Sequence, residues 1–527
     1  MKKRGILYST LVLSASALFV RMIGFFFRVY LSNTLGSQGM GLYSLIMSVY
    51  SLSITLATSG ISTAVSKLAA EQFALGSAPG ARKLLRRAIA MSLFLSCAVG
   101  CGLFFFSDAI ALNILRDART TLSLRLLAPG LPFLSVCACM RGYFIASRRV
   151  AVPASGQVIE QLFKMCFIMS LLGPAMDAGI ERGCALVVLG ITLGEAVCML
   201  YTAVGYMIHK KRNPARGKAG NKGVVGKILR FAAPISISSY FRSFMRLLED
   251  VLIVSGMSRF SGTQEEATGT YGMLRGMVMP LLIFPLNLLS AFVITLTPEV
   301  SRLSALSEKK KLEAVISRIL QVTSILGIFV VCLLMSFSYE IGVAVYKDPQ
   351  VGRMLRMMAF LTPFMCIETV VVSILQGMGE QTHSSAYGAS DCVLRVILVW
   401  LLMPRFGVMG FVMMVVASNL FTSMLNLIRL LRITRIPVAW RDWIFKPLLA
   451  AMAASQAVKA VCNLVLFGAM PIWLTLILGV IVIAIVYIAV LFAVGSMTME
   501  DIRWAARRFR PGPGQMHAVS QKGAENA

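Results

Sequence analysis

Long apolar segments, one after another, constrain this chain more than anything else in it. About fourteen stretches are apolar enough to cross a bilayer. They run over residues 6–33, 40–68, 84–107, 121–147, 153–173, 183–208, 228–256, 270–298, 313–337, 353–378, 384–404, 407–430, 445–467 and 471–495. Inside the hydrocarbon core every backbone N–H and C=O must find its partner within the chain, so such segments are helices. The loops between them are short and leave no room for a soluble domain. Of 527 residues, 57% are hydrophobic and only 14% charged, with a mean hydropathy of +0.78. This is the composition of an all-α polytopic membrane protein.

The net charge of +28 would suit anionic lipid, nucleic acid or an anionic substrate. Its distribution favours the membrane. Of the 51 Lys and Arg, about 33 fall in alternate loops and termini, about seven in the opposite set and about eleven within spans. The basic set is Lys2 to Arg4, Arg82 to Arg87, Lys210 to Lys227, Lys309 to Lys311, Arg432 to Lys446 and Arg503 to Arg510. The opposite loops, at Asp108 to Arg119, Asp177 to Arg182 and Arg259 to Glu266, are nearly neutral or acidic. Basic loops stay in the cytoplasm, so both termini are predicted inside and no nucleic-acid partner is needed. The N-terminus resembles a signal peptide, but its apolar run continues through Arg21 to Leu31 and is read as the first span.

The chain repeats itself at a spacing of about 230 residues. Val65-Ser66-Lys67-Leu68 matches Val300-Ser301-Arg302-Leu303, Pro132-Phe133 matches Pro363-Phe364, Gly142 matches Gly377, and Ala154-Ser155 matches Ala389-Ser390. An even number of spans separates the copies, so the repeat is parallel. The predicted organisation is a six-helix bundle at 1–208, a basic cytoplasmic linker at 209–227, and a second six-helix bundle at 228–430. Two additional transmembrane helices follow at 431–497, then a cytoplasmic tail at 498–527.

Charges inside the spans carry the functional signal. A guanidinium at mid-bilayer costs roughly 2.5–3.5 kcal/mol on insertion scales. Arg21 and Arg28 lie seven residues apart on one face of the first span, about 10 Å apart along the axis. No acid precedes Glu71, and none lies between Ala267 and Pro298 around Arg275. These three cations are therefore locally bare, which predicts a water-filled cavity for an anion. Arg242 and Arg246 on the seventh span would join them, and a ring of guanidiniums grips phosphate at two points each. Arg141 either reaches the same group or snorkels to the inner interface. Three local pairs can neutralise themselves: Glu160 with Lys164, Arg246 with Glu249 and Asp250, and Asp391 with Arg395. Prolines within spans, such as Pro129, Pro234 and Pro285, bend helices for packing or for movement.

No phosphate-binding Walker motif is present, because Gly226-Lys227 is followed by Ile228. Energy would come from an ion gradient, the membrane potential or downhill flow of substrate. Sodium or proton coupling would draw on the oxygens of Asp391, Glu249 and Asp250. Eleven cysteines are scattered singly, and His209, His383 and His517 stand far apart, so no metal or other cofactor is predicted. An enzyme would need an aqueous cluster of acid, base or metal, and the short loops offer none.

Several stretches resemble a known family: Arg21-Met22-Ile23-Gly24-Phe25 with Arg28-Val29, Leu35 to Tyr43, Val65 to Glu71, Arg141-Gly142-Tyr143-Phe144 and Gln157 to Gln161. They look like stage V sporulation protein B and lipid II flippase members of the multidrug/oligosaccharidyl-lipid/polysaccharide exporter superfamily. The resemblance implies two bundles working by alternating access in a bacterial plasma membrane. It implies an undecaprenyl-pyrophosphate-linked saccharide, lipid II or a polysaccharide precursor, as substrate, with membrane lipids and cell-envelope or polysaccharide synthesis proteins as partners. It places Arg21, Arg28 and Arg275 where the lipid II flippases carry cavity arginines on helices 1 and 8. Their helix 2 arginine has no counterpart, since Tyr43 to Val65 holds no cation. It also implies a groove for the lipid tail at the two last helices. The rival within the superfamily is a cation or drug exporter, whose cavity would present carboxylates and aromatics. A further rival is a non-transporting scaffold.

The topology is directly testable. In a cysteine-free background, Lys218→Cys is expected to escape a membrane-impermeant thiol reagent in intact cells and to react after permeabilisation. Labelling in intact cells overturns the inside assignment.

Overall fold

The computed structural model describes residues 2–212, 223–306, 308–436, 440–464 and 471–497. Most of the predicted basic linker and the whole predicted tail lie outside these residues. Every regular element among the described residues is helical. Eight helices are long and apolar enough to span a membrane, nine if the bent pair Ala118–Leu127 and Gly130–Ala146 forms one span. Val224–Ser261, Met279–Ala305 and Lys446–Leu464 are further long helices outside that count.

Two of the eight are too long for one crossing. Lys2–Thr58 has 57 residues and Gln381–Thr434 has 54. At 1.5 Å per residue each would run about 80 Å, more than twice the hydrocarbon core. Each folds back at one glycine: Gly36 at φ 69° and Gly407 at φ 50°. A residue with a Cβ pays for a left-handed backbone, and glycine does not. The break predicted between 33 and 40 is thus a sharp turn at Gly36, where two helices join with almost no intervening loop. The span predicted at 40–68 also ends early. The helix stops at Thr58, Gly60 turns at φ 75°, and Ile61–Ala74 follows as a helix of its own.

The sequence repeat reappears as a repeated contact. In the first bundle Gly142 lies against Ser62, Val65 and Ser66, where an added Cβ would stand 2.7 Å from the Ser62 carbonyl. In the second, Gly377 lies against Thr297 and Ser301, and Ser301 Oγ donates to the Gly377 carbonyl at 2.7 Å. The matched glycines thus perform the same close helix approach at the same register. The helices that carry them break alike: a 44° bend precedes Gly130–Ala146, and a 3₁₀ turn at Ala359–Leu361 precedes Thr362–Gly377.

The bundles meet through glycines. Gly41 sits on the Thr268 carbonyl and Gly272 on the Ser37 carbonyl, leaving no space for a Cβ at either. Past this crossing the chain widens into a π-helix at Gly272–Val278, which carries Arg275. The last helices, Lys446–Leu464 and Ile472–Ala493, attach to the second bundle alone. They pack on Ile328, Cys332 and Phe337 of Lys309–Tyr346, with Gly479 against the Phe337 ring and Tyr487 Oη donating to the Ile325 carbonyl at 2.9 Å.

Overpacking at the crossing should be measurable. Gly41→Ala is expected to destabilise the detergent-solubilised protein by about 1–3 kcal/mol in thermal unfolding. Gly102→Ala, where nothing lies within 4 Å, is expected to be neutral or stabilising. Equal effects of the two would contradict the glycine contact.

Candidate functional site

A cavity of about 540 Å³ lies between the bundles. Arg21, Phe25 and Arg28 line it from the first span, and Tyr43, Ser44, Ser48 and Ser51 from the second. Ser243, Arg246 and Asp250 come from Val224–Ser261, and Tyr271, Arg275, Ile283 and Asn287 from the π-helix and its flanks. Contacts between the bundles bracket it at both ends. At one end stands the Gly41–Gly272 crossing, with Arg119 and Glu265 paired beyond it at 3.3 Å. At the other, three side chains of Val224–Ser261 bond the end of the second span. Ser236 Oγ donates to the Ser59 carbonyl at 2.8 Å, Tyr240 Oη to the Leu56 carbonyl at 3.3 Å, and Ser243 meets Thr55 at 2.9 Å. The flank is closed by Phe25 on Phe284, with ring centroids 4.5 Å apart, and by Arg21 Nη1 on Ser290 Oγ at 2.9 Å.

The structure brings four of the six predicted arginines to this cavity. Arg21 is exposed to it. Arg28 donates to the carbonyls of Gly276, at 3.3 Å, and Arg275, at 3.0 Å. Neither meets a carboxylate among the described residues. Arg242 and Arg141 do not line the cavity. Arg141 instead sits inside the first bundle, near Cys137 and Glu195.

Arg275 corrects the reading of it as bare. Its Nη2 lies 2.8 Å from both Glu249 Oε1 and Asp250 Oδ1. The first is a hydrogen bond; the second is an ion pair by distance whose angle misses one. The acids come from the preceding long helix, beyond the reach of any local spacing rule. Arg246, predicted to neutralise those same acids, has no ion pair among the described residues and faces the cavity instead. Side chains on one helix point where packing sends them, and here the facing helix wins both carboxylates.

The three predicted cation ligands are joined into one network by guanidiniums. Ser48 Oγ donates to Asp250 at 2.5 Å, Arg275 bridges Asp250 and Glu249, and Arg395 Nη1 reaches Glu249 at 3.3 Å. Arg395 Nε also donates to Asp391 at 3.1 Å and to Ser418 at 2.7 Å, and Ser418 donates to Asp391 at 2.6 Å. Glu160 and Lys164 pair as predicted, at 3.9 Å. No group of three or more His, Cys, Asp or Glu able to hold a metal is present among the described residues.

Two buried residues escaped the sequence reading. Glu195 and Tyr50, 7% and 2% exposed, stand inside the first bundle. Glu195 has no basic residue within a turn on its own helix, the criterion that singled out Arg21, and applying it to acids would have found it.

Residues 6–304 match the family described as polysaccharide biosynthesis protein. The chain belongs to that family. Stage V sporulation protein B of Bacillus subtilis (strain 168) is 24% identical over 478 residues, which is 88% of this chain and 89% of that one. A solved structure of lipid II flippase MurJ in an inward closed conformation is similar at a TM-score of 0.70 and 15% identity, covering 91% of this chain and 98% of that one. An inward-facing MATE family multidrug resistance transporter of the MOP superfamily gives 0.61 at 15% identity, covering 79% and 98%. The fold is that of the superfamily. The chain is a multi-pass membrane protein with that fold.

The guanidinium network has a measurable consequence. Arg395→Leu leaves Asp391 without its guanidinium, while Glu249 keeps Arg275, and stability in detergent is expected to fall by about 3–5 kcal/mol. The double variant Arg395→Leu/Asp391→Asn is expected to recover part of the loss. Additive effects of the two substitutions would show that the residues do not act as a pair.

Proposed function

We propose that this chain flips an undecaprenyl-pyrophosphate-linked saccharide, lipid II or a polysaccharide precursor, across the bacterial plasma membrane by alternating access. One observation carries this: Arg21, Arg28 and Arg246 line the cavity between the bundles, and none of them meets a carboxylate among the described residues. Cations repel one another at close range unless water or an anion lies among them. A pyrophosphate is such an anion, and planar guanidiniums match its oxygens. The cavity volume lies in the ordinary range for a bound small molecule. Ser51, Ser243 and Asn287 supply neutral hydrogen-bonding groups for sugar hydroxyls beside the cationic rim.

The lipid tail stays in the bilayer. A second cavity of about 690 Å³ beside Lys309–Tyr346 and Lys446–Leu464 has an apolar part at Met335, Leu448 and Met452 that would suit it, with Glu340 and Arg356 also in the lining. Opening follows from the contacts described. The bonds of Ser236, Tyr240 and Ser243 to the second span separate on one side, and the Gly41–Gly272 crossing on the other. With both termini cytoplasmic, the first of these faces the cytoplasm and the loading leaflet. Enzymes and proteins that make cell-envelope polysaccharides are the partners this activity implies.

Transport of a cation or drug is the alternative, favoured by the MATE likeness and by Asp250 at the cavity wall. Arg275 already neutralises that carboxylate, which weighs against a cationic ligand.

Arg21→Ala removes a guanidinium that holds only Ser290, so the fold is expected to survive. Flipping of a fluorescent undecaprenyl-pyrophosphate saccharide in proteoliposomes is expected to fall about tenfold or more, the loss of one charge-assisted contact. Arg28→Lys is expected to keep part of the rate, because an ammonium keeps charge but loses the fork. Full activity in Arg21→Ala and Arg28→Ala, or uptake of a cationic dye in place of the lipid, overturns the proposal.

A further inference from the structure

In the second bundle Glu249, Asp250 and Asp391 are each paired with a guanidinium, and Glu368 beside them bonds Thr422. In the first bundle one buried carboxyl has neither. Glu195 is 7% exposed on Ile180–Arg212, and no hydrogen bond or ion pair to it is present among the described residues. Its charged and titratable neighbours are Glu160 and Lys164 on Ala151–Asp177, Cys137 and Arg141 on Gly130–Ala146, Cys198 on its own helix, and Tyr50 on the second span. Lys164 is engaged by Glu160. Arg125, on the short helix Thr121–Leu127 that also packs here, turns away to Asp108 at 2.6 Å.

A second observation points to the same place. Tyr50, on the second span, is 2% exposed, and its hydroxyl has no hydrogen-bond partner among the described residues. The carboxylates in its surroundings are Glu195 and Glu160. A buried hydroxyl without a partner costs about 1–3 kcal/mol, and an unpaired buried charge costs more. One proton reduces both costs. It neutralises the carboxylate and turns it into a donor as well as an acceptor, so that a single water can join it to the phenol. A hard metal cation fits less well: it needs several oxygens, and an ammonium already stands beside Glu160.

We infer that Glu195, with Tyr50 and Glu160, forms a proton-binding site inside the first bundle, behind the wall of the transport cavity. Tyr50 sits beside Ser51, which lines that cavity, and its helix carries Thr55 and Leu56 of the contacts that close one end. Loading or releasing the proton changes the charge next to the helix that must move. The site stands apart from the substrate assignment, and only the last readout below depends on flipping.

Infrared difference spectroscopy of the purified full-length protein against pH tests this directly. The wild type is expected to show a protonated carboxyl band that disappears as pH rises. Glu195→Gln is expected to lose the band, and Tyr50→Phe to keep it at a shifted frequency and midpoint. A band that survives in Glu195→Gln overturns the site, as does a wild type without one over the range where it stays folded. An unchanged band in Tyr50→Phe removes Tyr50 from it. A band removed by added sodium at constant pH assigns the site to that cation instead and overturns the proton. In proteoliposomes, a pH gradient is expected to stimulate wild-type flipping and to leave Glu195→Gln unstimulated. Equal stimulation of both overturns the coupling. If no protein flips the lipid at all, the flippase proposal fails while the infrared result still decides the proton site.

Discussion

A charge held inside a membrane-spanning bundle must meet a counter-charge, water or a ligand. This one demand organises the interior of the protein. In the second bundle it draws Arg275 and Arg395 into a continuous network with Glu249, Asp250 and Asp391. Between the bundles it leaves Arg21, Arg28 and Arg246 facing a cavity, the first two held by a hydroxyl and by carbonyls and none by a carboxylate among the described residues. In the first bundle it leaves Glu195 buried near a phenol without a hydrogen-bond partner among the described residues. The same physical rule therefore gives a paired network, a cationic cavity lining and an unpaired buried carboxyl, according to what stands within reach.

The wall and the cavity are mechanically joined. Arg275 is fixed by two acids on one side, while its own carbonyl accepts from Arg28 of the other bundle at 3.0 Å. The π-helix around it widens the backbone where the two bundles touch. Contacts that close the cavity are of two kinds. Glycine-on-carbonyl packing at Gly41 and Gly272 is tight and dry. The bonds from Ser236, Tyr240 and Ser243 are polar and exchange readily with water.

Much of this architecture is legible in the sequence, because apolar length and loop charge are local properties. Fourteen apolar stretches, their all-helical nature and the parallel repeat follow from segment length, backbone pairing and matched residues. The repeat carries through to atomic contacts, since Gly142 and Gly377 make the same approach to the same matched neighbours. Local spacing also picked out Glu160 with Lys164 and Asp391 with Arg395, because residues four apart on a helix share a face.

Tertiary structure decided the rest. The predicted break between 33 and 40 narrows to a turn at the single residue Gly36, a tightness set by how the flanking helices pack. Arg275 is bare along its own helix and doubly paired in space, while Arg246 is paired along its helix and free in space. Electrostatic partners across helices are set by the relative rotation of whole elements, which no local window contains. Sequence thus determined where charges enter the membrane. The rotation and crossing of the helices, set in part by the glycine contacts beside Arg275, decided which of them met a carboxylate and which faced the cavity.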